Sequence, residues 1–224
     1  AETNQTILWG MGDSHVDIAV RRAQHKFGTE LLTEVPKIAY RETIRRKVEI
    51  QGRHKKQTGG RGQFGDVYIR FEPMPRGAGF EFVDDVFGGS VPRQYIPAVE
   101  KGLLEIKGKG VLAGYPTVDF RAALYDGSYH AVDSSEMAFK LAAHIAFKEG
   151  IPQASPVLLE PWYDIRVTVP EQFMGDVMGD LTSKRCRVSG MEQGKGTTII
   201  SAQGPLAELQ RYATDLRSMT QGRG

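Results

Sequence analysis

Val67, Ile69 and Phe71 alternate with Tyr68, Arg70 and Glu72, and upstream Val48 and Ile50 keep the same two-residue period. Two strands with one buried face therefore flank residues 51–66. This pairing constrains the chain more than any other feature, because the segment between has to fold back as the end of a long hairpin. That end holds Gly59, Gly60, Gly62 and Gly65, which admit backbone conformations and close approaches that a Cβ would block, and Arg53, Lys55, Lys56 and Arg61 surround it with positive charge. The bland expectation is a solvated, flexible hairpin tip. The sharper one is RNA contact, in which Lys and Arg neutralise phosphates while Gln57, Thr58 and Gln63 bond 2′-hydroxyls and bases.

Bulk properties bound the rest. A chain of 224 residues is expected to build two or three modules. Its 40% hydrophobic and 25% charged content is ordinary for a soluble globular protein. Net charge is only +2, so overall electrostatics do not mark a nucleic-acid binder and the placement of charge has to decide. Between 41 and 61, Arg41, Arg45, Arg46, Lys47, Arg53, Lys55, Lys56 and Arg61 meet only Glu42 and Glu49. The single cysteine, Cys186, excludes an intramolecular disulfide and fits a reducing compartment. No apolar run reaches the roughly 18 residues of a membrane span and the N-terminus lacks a signal pattern, so a cytoplasmic protein without a membrane partner is expected.

Along the chain, Thr6 to Trp9 reads as a strand, Asp13 or Ser14 as the cap of a helix running to Phe27 and stopping at Gly28, and Thr29 to Val35 as a second strand. This unit is too small to bury its own faces. A strand is expected over 79–87, a helix opened by Pro92 with Ile96, Val99, Leu103 and Ile106 inside, a strand over 117–124, and a loop from Tyr125 to His130. Asp133 or Ser134 is expected to cap a helix over 136–148 whose apolar residues cover more than one side; Pro152, Pro156 and Pro161 then mark a boundary. Beyond it the order is strand 162–169, helix from Pro170 to Lys184, strands 187–192 and 197–202 around the turn 193–196, and helix 205–219. That order fits a split βαβ, ferredoxin-like plan lacking one strand.

Gly60, Gly62 and Gly65 match GxGxxG, and Val67 extends the match to the loop that covers ATP phosphates in kinases. A dinucleotide turn has to open a helix, and here a strand follows. The kinase loop does lie between strands, but no catalytic-loop or metal-binding signature accompanies it. Gly194 to Thr198 sounds like a Walker loop yet lacks its first glycine and precedes a strand. On spacing alone His130 is a loop histidine, and Asp126, Ser128, Asp133 and Ser134 serve turns and caps. Gly175 and Gly179, one helical turn apart, mark close packing or close approach to a partner backbone; Lys184, Arg185 and Arg187 make a second basic spot.

Three segments then resemble one family: His54-Lys-Lys-Gln-Thr-Gly-Gly-Arg-Gly-Gln-Phe-Gly65, Tyr125-Asp-Gly-Ser-Tyr-His-Ala-Val-Asp-Ser-Ser-Glu-Met-Ala-Phe-Lys140 and Glu160-Pro-Trp-Tyr163. With Tyr40 to Ile44 and Pro170 to Arg187, in the same order, they are similar to the C-terminal half of bacterial elongation factor G. The resemblance implies an α+β, multi-domain chain. Residues 1–38 are then the second half of domain III, a half ferredoxin-like unit. Residues 39–154 are domain IV, an elongated ribosomal-protein-like domain with a rare left-handed βαβ crossover, and 155–224 are a domain V lacking its last strand.

It further implies that domain IV enters the decoding site through two tip loops, Lys55, Lys56, Gln57, Thr58, Gly59, Gly60, Arg61 and Gln63 in one, Gly127, Ser128, Tyr129 and His130 in the other. Gly175, Gly179, Lys184 and Arg185 become candidate ribosomal RNA contacts. The implied partners are the ribosome, ribosomal RNA and the tRNA-mRNA pair, with no catalytic residue, metal or cofactor on this chain, since GTP and Mg belong to a domain outside it. Trp9 to His15 and Cys186 depart from the family's usual residues, which leaves elongation, recycling or ribosome protection open for the parent. The competing expectations are a kinase-like nucleotide-binding fragment and a protein-interaction module with no RNA role.

Overall fold

The computed structural model describes residues 5–57, 60 and 62–224. Two compact units divide the chain, residues 40–159 in one and residues 1–39 with 160–224 in the other.

In the unit 40–159 the hairpin is as its period demands. Strand β2 (Val48–Lys56) pairs antiparallel with β3 (Gln63–Pro73) from Val48↔Phe71 to Lys56↔Gln63. The sheet order is β2-β3-β5-β4, and β4 (Phe80–Asp84) with β5 (Phe120–Ser128) is its one parallel pair. A parallel pair needs a crossover. Helix α2 (Ile96–Lys107) supplies it, entered through the 3-10 turn Arg93–Tyr95. A short β1 (Arg41–Thr43) pairs instead with β6 (Val157–Leu159), bringing the ends of the unit together.

One sheet face is buried. Val67, Ile69, Phe71, Phe120 and Leu124 pack with Val99, Leu103, Phe139, Phe147 and Ile151 of the helices. Helix α3 (Glu136–Gln153) buries Ala138, Phe139, Ala142, Ala143, Ala146 and Phe147, apolar groups that turn to the sheet on one side and to α2 on the other. It sits on the sheet so closely that two glycines are compulsory. A Cβ on Gly52 would collide with the carbonyl of Ala142, and one on Gly65 would lie 2.5 Å from the carbonyl oxygen of Ala138. Gly65 thus serves helix–sheet approach rather than a phosphate cradle. The cap of α3 is Ser135, whose side chain accepts from Ala138 N–H at 3.2 Å, in place of the expected Asp133 or Ser134. The helix also runs past Lys148 and through Pro152 to Gln153, because burial of Gly150 and Ile151 outweighs one missing donor in the last turn.

Glu42, which the sequence offers only as a counter-charge among arginines, is wholly buried. Its carboxylate accepts backbone N–H from Val111 (2.8 Å), Leu112 (3.0 Å), Ala113 (2.7 Å) and Tyr115 (3.1 Å), which fixes the loop between α2 and β5. Burial pushes its carboxyl upward, but the four donors outweigh this and hold it below the ordinary value of 4.5.

In the other unit β7 (Trp162–Pro170), β9 (Thr197–Pro205) and β8 (Arg187–Gln193) form an antiparallel sheet in the order β7-β9-β8. Helix α4 (Met174–Ser183) follows β7, and Val177, Leu181, Val169, Ile200 and Tyr212 share one core. This is the split βαβ arrangement with β7 at an open edge. Pro170 ends β7 and precedes a 3-10 turn, Glu171–Phe173, rather than opening the helix itself. The helix expected over 205–219 is two, α5 (Leu206–Leu209) and α6 (Tyr212–Met219), separated where Arg211 leaves helical backbone at φ −114°.

Helix α1 (Asp13–Phe27) begins after Gly12, not Asp13 or Ser14, and ends as expected at a left-handed Gly28 (φ 64°). The strands expected over 6–9 and 29–35 are absent. Strand-like composition alone does not make a strand without a partner to complete its ladder. The side chain of Gln5 bridges the two segments instead, donating to Glu34 Oε1 at 3.0 Å and accepting from Lys37 N–H at 2.8 Å.

Candidate nucleic-acid interface

The far end of the β2–β3 hairpin carries the charge that the sequence placed there. Arg53, Lys55, Lys56 and Gln57 are exposed, as are Gly60 and Gln63; Thr58, Gly59 and Arg61 lie outside the described residues. Within the end, order comes from side-chain contacts. His54 Nε2 lies 2.8 Å from Gln63 Oε1, and the guanidinium of Arg53 sits over the Phe64 ring, 5.4 Å from its centroid.

The second expected loop begins later than its composition suggests. Tyr125 to Ser128 belong to β5, with Gly127 opposite Val67 and Ser128 opposite Asp66. Turn-type residues here are overridden by pairing to β3, and the register absorbs a bulge in which Leu124 faces Ile69, Asp126 faces Tyr68 and Tyr125 is passed over. Gly127 is required by space, since a Cβ there would meet the Asp66 carbonyl and lie 2.5 Å from Val91. Ser128 donates to Asp66 Oδ2 at 2.7 Å and Gln51 to Asp66 Oδ1 at 2.8 Å, so this buried carboxylate has donors on both oxygens. Tyr129 and His130 remain exposed.

Both loops are joined by contacts that no local pattern predicts. Gly62 N–H donates to Asp133 Oδ1 at 3.0 Å and Phe64 N–H to the Asp133 carbonyl at 2.9 Å. Ser134 Oγ donates to the Phe64 carbonyl at 2.9 Å while accepting from His130 N–H at 2.9 Å. His130 Nδ1 accepts from the backbone N–H groups of Asp133 (3.1 Å) and Val132 (3.3 Å). That arrangement assigns the ring hydrogen to Nε2, on the far side of the ring. Asp133 and Ser134, read from sequence as caps, are the ties of the tip. Between the loops lies a cleft of about 280 Å³ lined by Arg53, Lys55, Gln57, Gln63 and Phe64 from the hairpin and His130 and Asp133 from the segment after β5.

The candidates in the other unit have a different character. Gly175 and Gly179 are exposed on α4, with open space where their side chains would stand. Lys184 Nζ is 3.2 Å from Asp180 and 3.3 Å from Asp215. Burial lowers its pKa, yet these two carboxylates raise it above the ordinary value on balance. Arg185, held at φ 60°, grips Glu160 through both terminal nitrogens (2.7 and 3.1 Å) and Glu208 through Nε (3.3 Å). Both cations are thus neutralised within their own unit. Arg187 lies over the Trp162 ring at 5.1 Å.

Among the described residues no group of His, Cys, Asp or Glu is placed to hold a metal ion, and no helix is long and apolar enough to cross a membrane.

The fold is thus an α+β one in which the cationic end of an open sheet is tied to a second loop. The chain matches elongation factor G domain IV over residues 36–155, the elongation factor G C-terminus over 157–224 and elongation factor G domain III over 1–35. It belongs to the elongation factor G family and represents the C-terminal part of a translation factor of that type. A crystal structure from Thermus thermophilus is similar at 45% identity and a TM-score of 0.85, over 99% of this chain and 33% of that one. The chain therefore spans about a third of the length of that relative.

Proposed function

We propose that this chain is the ribosome-binding portion of a translational GTPase, that its 40–159 unit enters the small-subunit decoding site as tRNA and mRNA move, and that it hydrolyses nothing by itself. The single observation that carries this is the tip: exposed Arg53, Lys55 and Lys56 beside a second loop presenting His130, the two fixed to each other through Asp133 and Ser134. Cations place such a finger on phosphates, while Gln57, Gln63 and the Nε2–H of His130 offer hydrogen bonds to ribose and base edges. Small polar groups of this kind can replace contacts that hold an anticodon helix in place. GTP and Mg would act in a domain outside this chain, and the protein would work in the cytoplasm, where ribosomes are. The Lys184–Arg185 spot would contribute ribosomal RNA contact only by releasing its carboxylates. Ribosome binding measured against salt, for the parent chain and for Lys55→Ala/Lys56→Ala/Arg61→Ala, tests the proposal: binding should weaken and lose salt dependence in the triple variant, and an unchanged curve would count against it.

A further inference from the structure

One carboxylate oxygen of the tip cleft makes no hydrogen bond that ties the loops. Asp133 Oδ1 accepts from Gly62, but Oδ2 receives no proton from any described residue. His130 Nδ1 lies 3.5 Å from it, and the lone pair of that nitrogen already accepts two backbone N–H groups, so it brings no hydrogen. The Asp133 side chain is only 21% exposed, so Oδ2 is a partly desolvated acceptor on a cleft wall, a position that favours a ligand donor. In the same cleft Arg53 lies over Phe64 and presents a flat cationic plane backed by an aromatic ring, a surface on which unstacked bases settle. Lys55, exposed and without a carboxylate partner among the described residues, lines the same cleft. The volume, about 280 Å³, equals the share of about nine liquid waters, room for one base with its ribose.

Charge fixes the orientation. Asp133 repels phosphate and Lys55 attracts it, so a nucleotide enters base first. We propose that this cleft receives one unstacked ribonucleotide whose base carries an exocyclic amino group, and that Asp133 reads that group. The inference rests on the RNA-facing role proposed above and names what the tip takes hold of. Cytosine presents an amino donor where uracil presents a carbonyl, so Asp133 accepts from the first and repels the second; adenine and guanine also qualify. Gln63 Oε1 is engaged with His54, which leaves the Gln63 N–H₂ group and the Gln57 amide for the ribose.

The test is a titration of the full chain with CMP and with UMP, followed by NMR at the His130 and Phe64 rings and the Gly62 amide. Saturable shifts are expected with both, with CMP bound about tenfold more tightly. Asp133→Asn retains an acceptor for Gly62 and puts an N–H donor where Oδ2 stood, so the order should reverse in favour of UMP. An unperturbed Gly62 amide in that variant shows that the loops are still joined. Equal affinities, an order that Asp133→Asn leaves unchanged, or no saturable shift would overturn the cleft assignment while salt-sensitive ribosome binding stands on its own. Discrimination between CMP and UMP in a chain that fails to bind ribosomes would instead remove the translational role and leave the cleft as a nucleotide site.

Discussion

Asp133 accepts the backbone N–H of Gly62 across a separation of 71 residues, at 3.0 Å, and so ties the segment after β5 to the hairpin. Asp133→Ala removes that acceptor together with the cleft carboxylate. We expect the Gly62 amide to exchange about fivefold faster with solvent, consistent with the loss of about 1 kcal/mol, while amides of Val67 and Ile69 in the middle of β3 exchange as before. Amide exchange followed by NMR checks this. Equal acceleration throughout β3 would mean that the tie supports the whole sheet and not the tip.

Gly52 and Gly65 let α3 lie directly on the hairpin. Gly52→Ala and Gly65→Ala should each destabilise the 40–159 unit by about 2 kcal/mol or more, since the added methyl meets helix backbone rather than the end of a flexible side chain. Gly60→Ala, at an exposed position, should have little effect on stability. Denaturant unfolding of the three variants gives the comparison.

The buried Glu42 carboxylate predicts an acid limb of stability. Its folded-state pKa is held below the ordinary 4.5, so the unfolded chain takes up the proton more readily. The stabilisation is complete above about pH 4.5 and is lost as pH falls through the lower folded value. Glu42→Gln faces four N–H donors with one oxygen and an N–H₂ group; it should cost about 2–3 kcal/mol at neutral pH and flatten the acid limb. Unfolding free energies measured between pH 3 and 7 separate the two proteins.

Lys184 and Arg185 already hold Asp180, Asp215, Glu160 and Glu208. Replacing both with alanine should therefore change the salt dependence of ribosome binding by less than half as much as replacing Lys55 and Lys56, which have no carboxylate partners among the described residues. Filter binding across a salt series would show it.

What was legible in the chain was local and periodic. The alternation through Val48, Ile50, Val67, Ile69 and Phe71 fixed a hairpin because one of its faces is buried, and the doubly apolar helix after Ser135 announced its place between sheet and α2. Segments 6–9 and 29–35 carry strand-like composition but no ladder partner, and pairing is not written into one strand alone. Tyr125 to Ser128 have the chemistry of a turn, yet pairing to β3, interrupted only by the bulge at Tyr125, wins. The charged half of the tip could be found from its lysines and arginines. Its architecture could not: Asp133 and Ser134 look like helix caps three residues before an apolar run, and only the folded chain brings them against Gly62 and Phe64. Glu42 was hidden for the same reason, with its four donors 69 to 73 residues away.

The proposed role requires the tip to reach the decoding site. Cys186 is buried and its thiol pKa is raised, first by desolvation, so a new exposed cysteine can be labelled selectively. A photo-crosslinker attached through Gln63→Cys, with the labelled protein bound to ribosomes carrying tRNA and mRNA, reports which molecule the tip touches. Crosslinks to small-subunit RNA of the decoding site and to the tRNA-mRNA pair are the predicted result. Crosslinks confined to the large subunit, or to ribosomal proteins far from the codon, would contradict it.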